Sequence, residues 1–385
     1  MTTAPSAAKT TAFFQLLHQT PGLDERDNRG KKHAIALVLS GLTCALCAGR
    51  DGSLSRLHRH MVNQFAPLCQ LTGAAQSRPI SRAQLPLLLA KVNLSLFAKL
   101  LFEWFGLDLS TLTGQWLAVD GKELRGSIQA GQTRGDACVS VVSQAHETVV
   151  GQAYYSGEKE SEKLVVRQLL MDKGLLDQRL SLDALHLNPL TVNAIHKASG
   201  QYIVGLKANQ RLLYRACICR CLLDPPTHYY CSEWERGHGR VEQRSYQCFS
   251  LARAVFDARW QAAGFQTLIW VKRNRQPLAG GVITEEISYY LSNRAVVTEA
   301  DWVEVCGAVR GHWRIETMHY RRDVVLSEDT LRTAMSQVSR VVSCLRTLTM
   351  NLLHRLKPKN MAAQLDHFAD NFTALLQFMK TEEVL

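Results

Sequence analysis

Along roughly the first hundred residues, apolar side chains return every three or four positions. FFQLLHQT (13–20) is followed by a Pro-Gly break and the charged run DERDNRGKKH. Then come HAIALVLSGLTCALCAG (33–49), LSRLHRHMVNQFAPLCQL (54–71) and AQLPLLLAKVNLSLFAKLLFEWFG (83–106). That spacing lays one apolar stripe along a helix and carries few marks of strands. It predicts an N-terminal helical domain over 1–110, with a linker near 106–114 (GLDLSTLTG).

Beyond the linker the pattern shortens. WLAVD (116–120) reads as a strand broken by Gly121, and ACVSVVSQA and TVVGQAYY are β-branched runs around a polar turn, which suits a hairpin. SEKLVVRQLLMDKG has helical spacing and a glycine stop, RLSLDAL is a strand, a helix starts near Pro189, and QYIVGLK is a strand followed by helical NQRLLYRACICRCLL. A hairpin followed by strands separated by helices predicts an α/β fold with a mixed sheet flanked by helices. Strand-like runs return in VEQRSYQCFS, TLIWVKRN and EEISYYLSN, and the chain is helical again from 299. The expected division is 1–110, a domain over 111–355 with a strand-rich insertion at about 225–298, and a C-terminal helical tail over 356–385.

Composition narrows the class without choosing a function. Hydrophobic residues make up 46% and charged residues 21%, ordinary for a globular chain. The net charge of +11 suits a polyanionic partner. The most apolar stretch, 33–49, is shorter than the ~20 residues of a membrane span and reads better as a buried helix. The opening residues lack the basic start and long apolar run of a secretory signal. Eleven scattered cysteines argue against an extracellular disulfide framework, so a cytoplasmic setting is expected. CALC (44–47) and the 217–221 cysteines lack the spacing of a zinc finger and read as buried thiols. No GxSxG elbow supports a serine nucleophile.

Candidate chemistry rests on carboxylates. Asp120 ends the first strand of the mixed sheet and Asp183 stands near the end of the fourth, so adjacent strands would project both from one edge. Glu316 lies in RGHWRIETMHYRRDVVLSED (310–329), among arginines, histidines and aromatics. Oxygen ligands of this kind suit Mg²⁺ or Mn²⁺. A helix through this segment puts Glu316 on one face with His312, Trp313, His319 and Tyr320. Trp313 and Tyr320 are assigned to the core, and the arginines read either as phosphate contacts or as a solvated face.

AVDGKELRGS (118–127), LDAL (182–185), GLKANQ (205–210), RGHGRVEQRSY (236–246) and RGHWRIETMH with SEDTLR (310–332) occur in that order. Together they resemble insertion-sequence transposases of the H-repeat-associated group, in the DDE superfamily with an RNase H-like fold. The resemblance implies a metal-binding catalytic triad of Asp120, Asp183 and Glu316, holding Mg²⁺ or Mn²⁺ for cleavage at transposon ends and strand transfer into target DNA. It also implies double-stranded DNA as partner, with the element's ends bound by the helical domain over 1–110, a homodimer at the paired ends, no membrane, and a nucleoid-associated cytoplasmic location. Expected DNA contacts are Lys122, Arg125, Lys207, Asn209, Arg236, His238, Arg240, Arg310, His312 and Arg314. The alternatives are a metal-dependent nuclease without strand transfer, or an inactive DNA-binding relic. The chain departs from the family's wording at HLNP after Asp183, at Thr317, and at Lys159-Glu160-Ser161-Glu162, which loosely matches Lys-Ser-Asn-Glu.

Overall fold

The computed structural model describes residues 11–106, 112–156, 159–237 and 239–385. Among the described residues the leading helices are α1 (Phe13–Gln19), α2 (Ile35–Cys47), α3 (Leu54–Asn63), α4 (Phe65–Thr72), α5 (Gln84–Leu89) and α6 (Leu94–Trp104). Every residue of α2 is buried, so the run that hydropathy alone could mistake for a span is the central helix of a bundle. No described helix is long and apolar enough to cross a membrane. Cys44 and Cys47 are buried in α2, as expected of structural thiols, but of the 217–221 cysteines Cys217 alone is buried, with Cys221 half-buried and Cys219 exposed.

The mixed sheet follows. Strands β1 (Trp116–Glu123), β2 (Asp136–Ser143) and β3 (Val149–Ser156) form an antiparallel meander. Helix α7 (Lys159–Asp172) leads to β4 (Arg179–Leu182), α8 (Pro189–Lys197) leads to β5 (Gln201–Leu206), and both strands run parallel to β1. Asn188 caps α8 by accepting from Thr191 N, ahead of Pro189 in the first turn, where a missing N–H costs nothing. One expectation fails here: β1 does not stop at Gly121 but pairs with β2 through Glu123.

After α9 (Arg211–Leu223) come β6 (His228–Cys231), β7 (Glu235–Gly237), β8 (Arg240–Ser250), β9 (Thr267–Pro277) and β10 (Thr284–Ser292). The strand-rich region continues the same sheet, because β10 pairs antiparallel with β5. The order is β3-β2-β1-β4-β5-β10-β9-β8-β6, with β7 on β8.

The last helices are α10 (Glu299–Gly311), α11 (Trp313–Val324), α12 (Ser336–Leu356), α13 (Met361–Asp370) and α14 (Phe372–Thr381). Thr298 and Asp301 form a capping box at the start of α10. The single helix expected across 310–329 is two, because α10 ends at Gly311 and α11 begins after His312. The segment after 356 is helical, yet it folds back as part of the N-terminal core. Leu375 and Met379 share a cluster with Phe13 and Leu42, and Phe13 N donates to Glu383 O at 2.8 Å.

Alternation along β1 assigns its faces. Ala118 faces the cluster built from the N-terminal helices, α11 and α12, whereas Leu117 and Val119 face the cluster under α7 and α8. Helix α12 ties the layers together: Asn351 exchanges hydrogen bonds with Val149 N and O (3.0 and 2.9 Å), satisfying the backbone of β3 beside the bulge.

Candidate active site

Adjacent parallel strands carry the first two acids. Val119 and Leu182 are the last registered pair of β1 and β4, so Asp120 and Asp183 are the next residue on each. Asp183 is fixed by capping a short 3₁₀ turn, accepting from Leu185 N at 2.9 Å. By alternation Asp120 lies on the face covered by α11, where His319 Nδ1 stands 3.6 Å from its Oδ2. Glu316 sits one helical turn before His319 on that helix.

The three sequence-expected acids sense one another. Burial and the carboxylates Asp183, Glu162 and Glu316 push the Asp120 pKa up to about 8. Burial also raises Glu316; Arg273 and Lys207 pull it back and Asp183 adds to the rise. Burial lowers His312 to about 4 and His319 to about 3, so neither ring supplies a neutralising charge at neutral pH. Asp120 is thus a largely buried acid facing like charge. Its chemistry fits a hard divalent cation, which prefers carboxylate oxygens and would relieve that repulsion. The side chains are not drawn into a ready-made cage: among the described residues no group of three or more His, Cys, Asp or Glu is close enough to hold an ion as it stands.

A pH dependence follows. Free of divalent ions, folded protein keeps the Asp120 proton to about pH 8, whereas the group's ordinary pKa is 3.8. Stability from this group is full below about pH 4 and lost as pH rises through 8. In EDTA, Asp120→Asn is expected to remove that fall. At pH 8 the variant should exceed wild type by on the order of 2 kcal/mol or more, at about 1.4 kcal/mol per tenfold change in proton affinity. Urea unfolding at pH 5 and pH 8 checks it; parallel pH profiles for the two proteins would contradict it.

Lys122, expected at phosphate, turns inward. Its side chain is 7% exposed and its Nζ lies 2.7 Å from Asp323, 3.1 Å from Asp329 and 3.4 Å from Glu328. Arg125 N donates to the same Asp329 (3.2 Å), and a Cβ on Gly126 would meet Leu331 O at 2.2 Å. The blocks DGKELRGS and SEDTLR are therefore two halves of one joint, locking β1 to the segment after α11. Below it Arg322, fully buried, donates to Glu328 (2.5 Å) and Ser343 (2.6 Å). Although burial opposes it, Arg322, Lys122 and Arg346 hold the Glu328 pKa at about 2.

His312 also departs from expectation. Its Nδ1 hydrogen-bonds Ser181 Oγ at 3.0 Å and its ring is neutral, so it supports β4 and offers no cation to a phosphate. Arg125 keeps an exposed guanidinium, Lys207 is exposed, and Asn209 is exposed with its amide donating to Ala184 O at 3.3 Å. His238 lies outside the described residues.

Arg236, Arg240, Arg310 and Arg314 converge on one cavity of about 990 Å³ beside α11. Among the described residues seven arginines line it against three glutamates. Arg310 pairs with Glu235 and Arg240 with Glu242 (3.1 Å), while Arg314 donates to Gln144 O. Trp313 and Tyr320, assigned to the core from spacing, are 39% and 63% exposed. Arg273 lies 4.4 Å from the Trp313 ring centre, a cation–π contact on the cavity wall. Sequence reasoning missed Arg273, whose only trace was a basic residue in the strand TLIWVKRN. It also passed over Glu162 and His186. Glu162 was visible only as the last residue of a loosely matched block, and His186 only as the first of HLNP.

No family model matches the chain. It is 25% identical over 343 residues to the protein named "Putative transposase YncI" of Escherichia coli O157:H7, covering 87% of this chain and 85% of that one. It is 24% identical over 342 residues to the "H repeat-associated putative transposase YhhI" of Escherichia coli K12, covering 86% and 87%. Over most of its length the chain is similar to the H-repeat-associated transposase group, as its five ordered blocks imply.

Proposed function

We propose that the chain is a DNA transposase that cleaves the ends of its element and joins them to target DNA, with Asp120, Asp183 and Glu316 holding Mg²⁺ or Mn²⁺. The observation that carries this reading is the placement of Asp120 and Asp183 at the next position on neighbouring parallel strands, with Glu316 on the helix over that face close enough to raise Asp120's proton affinity. The order β3-β2-β1-β4-β5, antiparallel through β1 and then parallel, supports an RNase H-like core.

When bound, divalent ions supply Lewis-acid stabilisation of a phosphoryl displacement. The chain's own residues do the rest. Strand β1, the end of β4 and helix α11 position the three carboxylates on or beside rigid elements, and the Leu185 N–H restrains Asp183. The arginine-lined cavity grips backbone phosphates beside Glu316, with Arg273 and Trp313 on the wall nearest it. Recombination at two ends needs two active sites, so a homodimer assembles on paired ends.

The direct test incubates the protein with DNA bearing its element's terminal sequences, a supercoiled target and Mg²⁺. Transposition gives joined end–target products; hydrolysis alone gives only cut ends, which would reduce the reading to a nuclease.

The cavity makes a separate prediction. Arg236→Ala should weaken DNA binding uniformly across sequences and lower the slope of log affinity against log salt by about 0.9. Lys122→Ala should leave that slope unchanged while lowering stability, because its charge is consumed inside the fold. Filter binding across a salt series distinguishes the two, and a slope change for Lys122→Ala would restore it as a phosphate contact.

A further inference from the structure

We propose that Glu162 is a fourth acidic residue of the cation site, entering from the face of the sheet opposite Glu316. The inference rests on the transposase reading and deepens it. Helix α7 carries Glu162 across the face of β1 on which Val119 and Gly121 lie. There its carboxylate presses against Gly121: a Cβ at that position would meet Glu162 Cδ at 2.4 Å and both oxygens within 2.7 Å. Glycine next to Asp120 is thus the opening through which a carboxylate from the far layer approaches the acids.

Two further side chains aim this carboxylate. Tyr155 on β3 donates its hydroxyl to Glu162 Oε2 at 2.7 Å. His186, fully buried, places Nε2 at 3.3 Å from Glu162 Oε1 and 3.8 Å from Asp183 Oδ1. Among the described residues neither ring nitrogen of His186 finds a hydrogen-bond partner. A buried imidazole left unsatisfied between two carboxylates is a group with a role still open to it, since such nitrogens are ordinarily paired. The arrangement joins Glu162 to Asp183 through His186 and to Asp120 through the glycine gap. An acid bonded only for structure gains nothing from a seat beside another acid, whereas a divalent cation turns that repulsion into shared attraction.

The test uses the full chain and Mn²⁺ in a calorimetric titration, with melting in EDTA alongside. Glu162→Gln keeps the shape and can still accept from Tyr155, but removes the charge. The expected result is at least a tenfold loss of Mn²⁺ affinity and a melting temperature in EDTA at or above that of wild type, because repulsion is relieved. Affinity within twofold of wild type would overturn the proposal, and so would affinity loss accompanied by a lower EDTA melting temperature, which marks a structural peg. Tyr155→Phe provides a second route, leaving the charge but freeing it, and should weaken Mn²⁺ binding by less than Glu162→Gln. If Asp120→Asn loses Mn²⁺ while Glu162→Gln retains it, this inference falls and the transposase reading stands. If wild type binds no Mn²⁺, both fall.

Discussion

Asp120→Asn, Asp183→Asn and Glu316→Gln are each expected to cut end cleavage by roughly 10²–10³-fold or more, the scale of removing one preorganised electrostatic group from a reaction centre. DNA affinity should stay near wild type, because the arginine-lined cavity that would grip phosphate contains none of the three. Asp120→Asn gives the sharpest form of this result. Its buried position and like-charged neighbours mean that losing the charge should stabilise the ion-free fold at pH 8. A protein that is more stable, binds DNA normally and fails to cut separates chemistry from folding. Gel assays of end cleavage, with affinity and melting measured on the same preparations, check it. Wild-type cutting by any of the three removes that residue from the site.

The largest stability effect is expected beneath the site. Glu328 and Arg322 are 1% and 0% exposed, and Lys122 shares the same carboxylate at 3.4 Å. Glu328→Gln would leave Arg322 buried without its counter-charge and take one of three carboxylates from Lys122. Breaking a buried pair in this way costs about 3–5 kcal/mol. Arg322→Met should cost a similar amount by stranding Glu328. The double replacement should cost less than the two singles added together, since it leaves neither charge of the pair unmatched. Urea denaturation of the four proteins reads the coupling directly, and strict additivity would deny the pair. The joint also bears on function, because β1 carries Asp120 and α11 carries Glu316, and Lys122, Asp323 and Arg322 lie on those same two elements.

Much of this was legible where physics is local. The β2–β3 hairpin follows from two β-branched runs around a polar turn, and the start of α8 from Asn188 and Pro189. The neighbouring places of Asp120 and Asp183 follow from two short apolar runs that each lead into an acid, although β1 itself continues to Glu123. What was not legible depends on partners distant in the chain. A lysine two residues from a strand-end acid looks like a phosphate contact until Asp323, Glu328 and Asp329 fold onto it. Gly121 looks like a strand breaker until a carboxylate from α7 occupies the space a side chain would need. Trp313 and Tyr320 share helical spacing with core positions, but in α11 it is Ile315, Met318 and Arg322 that are buried, and both rings are exposed. The strands after 225 show their own alternation, yet nothing in it reveals that β10 will add to β5.

Whether Asp120, Asp183 and Glu316 serve a common divalent cation can be read from Mn²⁺ anomalous scattering in crystals soaked with that ion. Anomalous peaks are expected against the carboxylates of Asp120 and Asp183, with Glu316 drawn onto the same site. Peaks elsewhere, with these three acids left bare at saturating Mn²⁺, would contradict a shared site.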